Sequence, residues 1–422
     1  MHMLHSFHQW YLQNVRIPVA MRWSSWRLRH KYKHQLKRIR GAFQKRPLRV
    51  LFPISSLAKW KMQTIFDLMR HSTHYEPIVA LTVFDIESRF DKNEKERAIA
   101  AVKAYCIERQ MPYVDAYETE TGRFLSFKCF EPDIVWYQDP WDIDKCQSPK
   151  ETANFALTCY VPYFVQNYGY LLMDCLKPFH RHIWRHFTLN AQWAAVFMEE
   201  QDRTGKRAGE VVGLGHPMLD QFAHLISQSN EKLVIYAPHF SCGIDECYST
   251  FLEYGEKILR YAQKHPEIKW AFKPHPTLRH VLIHILGHSE KEVNAYYSAW
   301  EKIGEVYLSG DYVRLFERSY ALLTDCASFL IEYACTEKPI IRLVPHAPKF
   351  LPHPISRQLF STYYNANNWC EICEYLDRIV IHGDDFRQEE RLAQVKQMNL
   401  HKNDAAKSIV SYLSNIFEGN SK

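Results

Sequence analysis

Three short polar motifs in the second half of the sequence follow apolar runs that predict β-strands. They read "YAPHFS", "FKPHP" and "TDCAS", and their polar residues are His239, Lys273, His275, Thr324, Asp325 and Ser328. Lysine neutralises phosphate charge, and histidine donates a hydrogen bond to phosphate or moves a proton near neutral pH. Hydroxyls and the free N–H groups at a helix start also suit phosphate. These residue types predict a site for a phosphorylated ligand.

The stretch "LLTDCASFLIEYACTEKPIIRL" changes from a strand pattern to a helix pattern at its polar cluster. The residues from Ala321 to Thr324 predict a strand, and Ser328 falls at the start of the predicted helix. Glu332 lies one turn deeper on the same helix face. A carboxylate there can accept hydrogen bonds from a ribose diol while phosphates lie at the helix start. The alternative is that Asp325 and Ser328 only cap the helix.

The motif "FKPHPTLRH" predicts a cationic edge beside that turn. Lys273 and His275 are two residues apart in an extended stretch, so we expect their side chains to face the same way. The two prolines keep the stretch extended, and Arg279 continues the cationic wall. A histidine held in a proline turn is the structural alternative. His239 and Asp139, the latter in "WYQDPWDID" of the first half, each follow a predicted strand and are candidate catalytic groups.

The elements that carry these motifs predict an α/β fold. Strand and helix patterns alternate in both halves of the chain, which implies parallel sheets covered by helices and thus two Rossmann-like, doubly wound domains facing a cleft. Ligands in such sheets bind beyond the carboxyl ends of the strands. We expect a basic N-terminal arm at 1–46, an N-terminal acceptor domain at 47–212 and a C-terminal nucleotide-binding domain at 213–422. The glycines and proline of "VVGLGHPMLD" mark the boundary.

Charge is distributed unevenly. The first acidic residue is Asp67, and fourteen Lys or Arg residues precede it, interspersed with Trp10, Trp23 and Trp26. Cations mixed with tryptophans suit an anionic membrane surface. A solvated arm without a partner is the alternative, and nucleic acid is disfavoured because no binding module is recognisable. No apolar run is long enough to span a bilayer. Without a secretory signal or zinc-spaced Cys/His cluster, we expect a cytoplasmic protein on the inner membrane face.

Taken in order, "YAPHFS", "KPHP" and "LLTDCASFLIEYACTEKPII" resemble motifs of the CDP-glycerol glycerophosphotransferase family, whose members have two Rossmann-like domains of the glycosyltransferase-B type. The residues that match are Thr324, Asp325, Ser328, Glu332, Lys338 and Pro339. Ala327 replaces a serine of the family pattern. A His-Gly pair common in the family's first domain is not found here, which makes Asp139 and His239 the candidates for its catalytic role.

The resemblance implies a transferase. A CDP-alcohol such as CDP-glycerol would bind the second domain, with its ribose near Glu332 and its diphosphate near Lys273, Arg279, Thr324, Asp325 and Ser328. A hydroxyl of a glycan or lipid-linked acceptor would attack the distal phosphorus, and CMP would leave. His275, His239 or Asp139 would assist this step. No acidic metal cluster is evident in the sequence, so we expect protein cations to replace magnesium and no bound cofactor.

Two other functions remain open from the sequence. One is a nucleotide-sugar glycosyltransferase of the same fold, acting in capsule or lipopolysaccharide synthesis. The other is a non-catalytic scaffold that uses its basic arm to bind membrane or nucleic acid. The density of polar residues at several predicted strand ends disfavours the scaffold.

Overall fold

The structure is a computed structural model, and it describes residues 17–83, 92–141, 143–165, 167, 178–204, 207–222, 231–243, 248–308, 312–346, 351–400 and 404–420. These residues divide into two compact units. Unit 1 takes its residues from 17–165, 178–220 and 404–420, and unit 2 takes its residues from 167 and 221–400.

The strands follow one another in chain order through both units. They are β1 Leu48–Ile54, β2 Tyr75–Leu81, β3 Tyr113–Asp115, β4 Tyr117–Glu118, β5 Arg123–Phe124, β6 Ile134–Tyr137, β7 Leu157–Tyr160, β8 Arg185–Thr188, β9 Glu210–Gly213, β10 Leu233–Ala237, β11 Lys269–Phe272, β12 Gly304–Val306, β13 Ala321–Thr324, β14 Ile340–Leu343 and β15 Tyr364–Ala366. All but the small antiparallel pair β4–β5 belong to two parallel sheets.

The helices alternate with these strands. They are α1 Ile17–Phe43, α2 Gln63–Arg70, α3 Lys92–Glu108, α4 Pro149–Thr152, α5 Pro178–Arg181, α6 Ala191–Arg203, α7 Phe251–Lys264, α8 Leu278–His280, α9 Glu290–Glu301, α10 Val313–Arg318, α11 Phe329–Glu332, α12 Pro354–Phe360, α13 Trp369–Tyr375, α14 Gln388–Gln397 and α15 Ala405–Glu418. Short 3-10 segments lie at Leu57–Lys59, Phe127–Phe130, Lys145–Gln147, Pro217–Phe222 and Tyr333–Thr336, and π-helical turns at Val281–Ile285 and Leu376–Ile381. Within the described residues, no helix has both the length and the apolar character needed to cross a lipid bilayer.

Each sheet reverses its strand order at one point. In the described part of unit 1 the order is β3-β2-β1-β6-β7-β8-β9, and in unit 2 it is β12-β11-β10-β13-β14-β15. The chain therefore leaves β10 toward β11 on one side and returns to β13 on the other. The strands flanking this point, β10 and β13, are buried along their whole length. Loops diverge at such a switch point and leave a crevice beyond the carboxyl ends of the strands.

The basic segment predicted as an arm is largely an integral helix of unit 1. Side chains at helical spacing along α1 are buried: Ser25, Leu28, Tyr32, Gln35, Ile39 and Phe43. Arg38 pairs with the buried Asp133 at 3.0 Å, and Arg40 Nε donates to the Ile416 carbonyl at 2.8 Å. Residues 1–16 lie outside the described part of the chain. The prediction of an arm over 1–46 therefore fails from residue 17, because this helix carries an apolar face that the sheet and α15 cover.

The predicted domain boundary also differs from the structure. Helix α15, predicted as part of the second domain, belongs to unit 1, where it packs against α1 and α2. Asp220 accepts hydrogen bonds from the N–H groups of Ala405 (3.0 Å) and Ala406 (2.8 Å) at the start of α15. Gly215, with φ of +101°, lies so close that a Cβ would stand 2.6 Å from the Ala405 Cβ. The motif "GLGHPMLD" thus receives the C-terminal helix.

Candidate functional site

A buried carboxylate joins three segments at the switch point of unit 2. Ala237, which ends β10, pairs with Thr324, which ends β13, and Asp325 follows directly. Asp325 Oδ1 accepts a hydrogen bond from the His239 N–H at 2.6 Å. Its Oδ2 accepts from Thr250 twice, from the N–H at 2.6 Å and from the hydroxyl at 2.9 Å. Asp325 therefore fixes the loop after β10 and the start of α7 to the end of β13.

Burial has the largest effect on the pKa of this carboxyl group. It raises the pKa of Asp325 to about 6, against the opposing effect of the donors from Thr250 and His239. Asp325 is therefore mainly ionised at neutral pH. Asp325 and Ser328 do not act as helix caps, the alternative interpretation of the motif: Ser328 makes no side-chain cap bond to α11, and both Asp325 oxygens bind other segments.

Two histidines lie side by side next to Asp325. The ring centroids of His239 and His275 are 5.3 Å apart, and the Phe240 ring lies 4.5 Å from that of His275. Burial lowers the pKa of His239 to about 3, with a smaller contribution from His275. Burial also lowers the pKa of His275 to about 4, with a smaller contribution from the Lys273 charge. Both imidazoles are therefore neutral at physiological pH.

Lys273 and Glu332 lie against one tyrosine. Lys273 is buried, and its Nζ stands 5.5 Å from the ring centroid of Tyr312 and 5.7 Å from that of Phe329. The Tyr312 hydroxyl donates to Glu332 Oε2 at 2.6 Å, and Glu332 is also buried. Lys273 lies against the rings of Tyr312 and Phe329, whereas His275 lies against the rings of His239 and Phe240. The Lys273 ammonium group thus lies over the face of the Tyr312 ring, and the Glu332 carboxylate binds the Tyr312 hydroxyl.

The turn after β13 holds Thr324 and Ser328. The Thr324 hydroxyl donates to the Ala237 carbonyl at 2.6 Å and accepts from the Cys326 N–H at 2.9 Å, and the residue is fully buried. Its polar atoms thus link β13 to β10. Ser328 is partly exposed, with its Oγ 3.3 Å from Cys326 Sγ. The predicted helix is short here, because α11 ends at Glu332 and a 3-10 turn continues it.

Arg279 makes its side-chain hydrogen bond to a residue outside this cluster. It is an exposed residue of α8, and its guanidinium donates to Asn294 Oδ1 on α9 at 2.9 Å. Across the described ranges, no hydrogen bond or ion pair joins Arg279 to the residues at the ends of β10, β11 and β13. The prediction that it continues the cationic wall is not supported by its position, because its side chain follows the surface of the helix pair.

Asp139 lies in unit 1, at that unit's own switch point between β1 and β6. Its carboxylate pairs with Lys59, from the 3-10 segment after β1, and accepts from the Trp141 N–H at 3.1 Å. The Lys59 Nζ also stands 5.0 Å from the Tyr163 ring centroid. The neighbouring Gln138 accepts from the Lys61 N–H at 2.7 Å. Unit 1 therefore has a polar cluster at the ends of its own strands β1 and β6.

Three contributors to these clusters were not identified from the sequence: Thr250, Tyr312 and Lys59. Thr250 and Tyr312 each directly precede a helix, so the only local signal was a cap position. His216, the histidine of "GLGHPMLD", is buried and its Nε2 contacts the Pro162 carbonyl at 2.7 Å, which fits a structural role. Among the described residues, no group of three or more His, Cys, Asp or Glu side chains could hold a metal ion.

Comparison with known proteins bears on the fold. No model of a known protein family matches the chain, and no curated protein sequence matches it significantly. Similar solved structures include the wall teichoic acid polymerase TagF, with 13% identity over 95% of this chain and 97% of that one (TM-score 0.52). The UDP-GlcNAc 2-epimerase from Neisseria meningitidis, bound to UDP-GlcNAc, has 14% identity over 87% and 99% (TM-score 0.50). MnaA from S. aureus with UDP has 15% identity over 87% and 96% (TM-score 0.51).

These likenesses confirm the predicted fold class. At such low identity they define the fold alone: two Rossmann-like α/β units with parallel sheets, of the glycosyltransferase-B type. A fold of this kind supports many reactions, so any activity has to be argued from the residues at the strand ends.

Proposed function

We propose that the chain is a transferase that moves glycerol phosphate, or a related polyol phosphate, from a CDP-alcohol to a hydroxyl of a cell-surface glycan or lipid-linked acceptor. The observation that carries the proposal is the convergence of two imidazoles, a buried lysine and a buried glutamate at the carboxyl ends of β10, β11 and β13. In a doubly wound sheet this is where a ligand binds. The likeness to the fold of a wall teichoic acid polymerase is compatible with this chemistry.

The donor would use these residues in two groups. We place its diphosphate near Lys273, His239, His275 and Ser328, because each offers a positive charge or a hydrogen-bond donor. We place its ribose diol near Glu332, whose carboxylate is held by Tyr312. Thr324 and Asp325, both predicted to contact the donor, have their polar atoms bound to protein groups, so we assign them the task of holding the site together.

The reaction would proceed by in-line displacement. The acceptor oxygen forms a bond to the distal phosphorus, and the bond between that phosphorus and the bridging oxygen of CMP breaks. The acceptor proton passes to a base, for which Asp139 is a candidate, and CMP leaves as the anion. Such transfers depend mainly on positioning and on neutralising charge. Because Lys273 supplies a cation, we expect the reaction to need no magnesium, and turnover that persists in EDTA would agree.

The identity of the nucleotide that the protein releases distinguishes the proposed function from its alternatives. The purified protein is incubated with CDP-glycerol, CDP-ribitol and UDP-sugars, and the products are identified by mass spectrometry. CMP from a CDP-alcohol is the expected product. Lys273→Gln should reduce its formation at least tenfold, since it removes a charge from the phosphate site. Lys269→Gln, at the exposed opposite end of the same strand, is the matched control. CMP release that is unchanged in Lys273→Gln would refute the assignment.

A nucleotide-sugar enzyme is the second candidate. The observation in its favour is that structures solved with UDP-GlcNAc and with UDP share the fold to the same degree as the polymerase. The same incubation separates the two functions. A glycosyltransferase would release a nucleoside diphosphate from a sugar donor, and an epimerase would convert a nucleotide sugar without releasing any nucleotide. A scaffold without catalysis would leave every donor unchanged.

We further propose that α1 docks unit 1 on an anionic membrane surface. Opposite its buried face the helix presents an outer stripe of tryptophans, cations and histidines: Trp23, Trp26, Arg27, His30, Lys33, His34 and Lys37. Trp23 is 60% exposed and Trp26 51%, and the Arg27 guanidinium lies 5.0 Å from the Trp23 ring. The helix contains no acidic residue. Indoles at headgroup level beside cations facing lipid phosphate match this composition.

Vesicle binding tests this surface. We expect the protein to sediment with phosphatidylserine vesicles and not with phosphatidylcholine vesicles, and salt should weaken the binding. Changing Arg27, Lys33 and Lys37 to Gln should abolish it. Changing three exposed basic residues of α7, Lys257, Arg260 and Lys264, removes the same charge and should leave it intact. Equal losses in both triple variants, or preference for RNA over vesicles, would reject the membrane assignment.

A further inference from the structure

The hydrogen bonds of His239 fix which of its ring nitrogens carries the proton. The Ser241 N–H points to His239 Nδ1 at 3.3 Å, and a backbone N–H can only donate. The Ser241 hydroxyl lies 2.9 Å from the same nitrogen while accepting from the Tyr248 N–H at 2.9 Å, which leaves its own proton for Nδ1. His239 Nδ1 is therefore an acceptor, and in the neutral ring the proton is on Nε2.

His275 repeats this arrangement one strand away. The Thr277 N–H donates to His275 Nδ1 at 3.2 Å, again from the residue two positions later. The His275 N–H donates to the Pro238 carbonyl at 3.0 Å, just as the His239 N–H donates to Asp325. Both rings thus have the same tautomer, and hydrogen bonds fix both backbones. The two rings are neighbours, and the proton of each neutral ring is on Nε2.

We infer that His239 and His275 form a paired N–H donor site that binds phosphate oxygens as neutral imidazoles, with Asp325 as the residue that positions His239. This inference rests on the proposed function, since it assumes that a donor phosphate binds here. Nε2 already carries a proton and Nδ1 is already bonded. Neither ring is therefore arranged to take the acceptor proton, and that role falls to another group.

A neutral donor pair predicts a particular pH dependence. Among the residues that the structure describes, the groups that face the pair are Asp325 from the end of β13, Lys273 from the end of β11 and the Tyr248 ring. The probe is CDP-glycerol, whose diphosphate is esterified at both ends and keeps its charge near neutrality. Its affinity should change less than about threefold between about pH 6.5 and 8.5, whereas a cationic histidine of ordinary pKa would lose about tenfold per pH unit.

Two substitutions at each position separate the ring nitrogens. Glutamine places its amide N–H near the position of Nε2, and asparagine places its amide near Nδ1. The His275→Asn and His239→Asn variants keep a group that can accept from the i+2 N–H but lose the outer donor. They should bind CDP-glycerol about tenfold more weakly or worse. The His275→Gln and His239→Gln variants, which keep an outer N–H donor, should bind CDP-glycerol more tightly than the Asn variant at the same position.

Nitrogen-15 NMR of the histidine rings in the unmodified protein tests the tautomer without any ligand. The inference predicts neutral rings at pH 7 with Nε2 protonated and Nδ1 unprotonated, and perturbation of both rings by inorganic pyrophosphate. Nδ1-protonated or cationic rings would overturn it, as would rings that pyrophosphate leaves unperturbed. Correct tautomers with pyrophosphate binding but without CDP-glycerol binding would support the donor pair and reject the proposed nucleotide donor.

Discussion

The hydroxyl of Thr250 offers a sharp test of how the buried carboxylate is held. Thr250→Val replaces a hydroxyl by a methyl group of similar shape, so it creates no cavity at this buried position. It removes one of the three hydrogen bonds that the Asp325 carboxylate accepts from His239 and Thr250, and leaves both backbone donors in place. Thr250→Ser keeps the hydroxyl and is the matched control.

The expected loss in the free energy of unfolding depends on whether the acceptor, Asp325, is charged. A hydrogen bond to a charged group contributes about 1.5 to 3 kcal/mol, against about 1 kcal/mol for a neutral pair. At pH 8 Asp325 is ionised, since its pKa is about 6. We therefore expect the free energy of unfolding of Thr250→Val to be about 2 kcal/mol below that of the unmodified protein at pH 8.

This difference in the free energy of unfolding between Thr250→Val and the unmodified protein should be smaller at acidic pH. The pKa of Asp325 is higher in the folded protein than its ordinary value of 3.8. Its titration therefore contributes stability that is fully present below that value and is lost as the pH rises through about 6. The Thr250 hydroxyl lowers the pKa of Asp325, so its removal raises the pKa further and increases the loss at high pH. At pH 5 the deficit should fall to about 1 kcal/mol, the value for a neutral hydrogen bond.

Urea unfolding of the full chain at the two pH values measures both deficits, with unchanged m-values as the check on two-state behaviour. Other titrating groups are common to both proteins and cancel in the difference. A deficit of equal size at pH 5 and pH 8, or a Thr250→Ser variant that behaves like Thr250→Val, would show that the hydroxyl does not act on an ionised carboxylate.

Two further predictions concern the neighbouring α10. Tyr312→Phe keeps the ring beside Lys273 but removes the donor to buried Glu332, so the free energy of unfolding should fall by about 1.5 to 3 kcal/mol; equal urea midpoints would refute this. Lys338 Nζ donates to the carbonyl of Phe316 at 3.0 Å, and burial lowers the pKa of Lys338 to about 8. Its stability contribution is therefore fully present above about pH 10.5 and is lost as the pH falls through 8. Relative to Lys338→Met, the unmodified protein should gain about 1 to 3 kcal/mol between pH 8 and 10.5, and parallel pH profiles would contradict the assignment.

The strands and the polar groups that end them could be predicted from the sequence. Buried parallel strands appear as continuous apolar runs, and the runs around β10, β11 and β13 each stop at a histidine, a lysine or a hydroxyl. Both signals are local, since they depend on a few consecutive residues. The tertiary structure was needed for α1, because its basic residues conceal an apolar face at helical spacing.

The composition of the candidate site was therefore determined by the sequence, while its connectivity was decided by the tertiary structure. Asp325 meets the backbone of His239, 86 residues away, because strand order places β13 beside β10. It meets Thr250 across 75 residues for the same reason. Strand pairing depends on the packing of whole helices against the sheet and on loop closure over long separations, which no short pattern encodes. The same limit explains why α15 was assigned to the wrong unit, since an apolar helix face in the sequence does not specify which sheet it will cover.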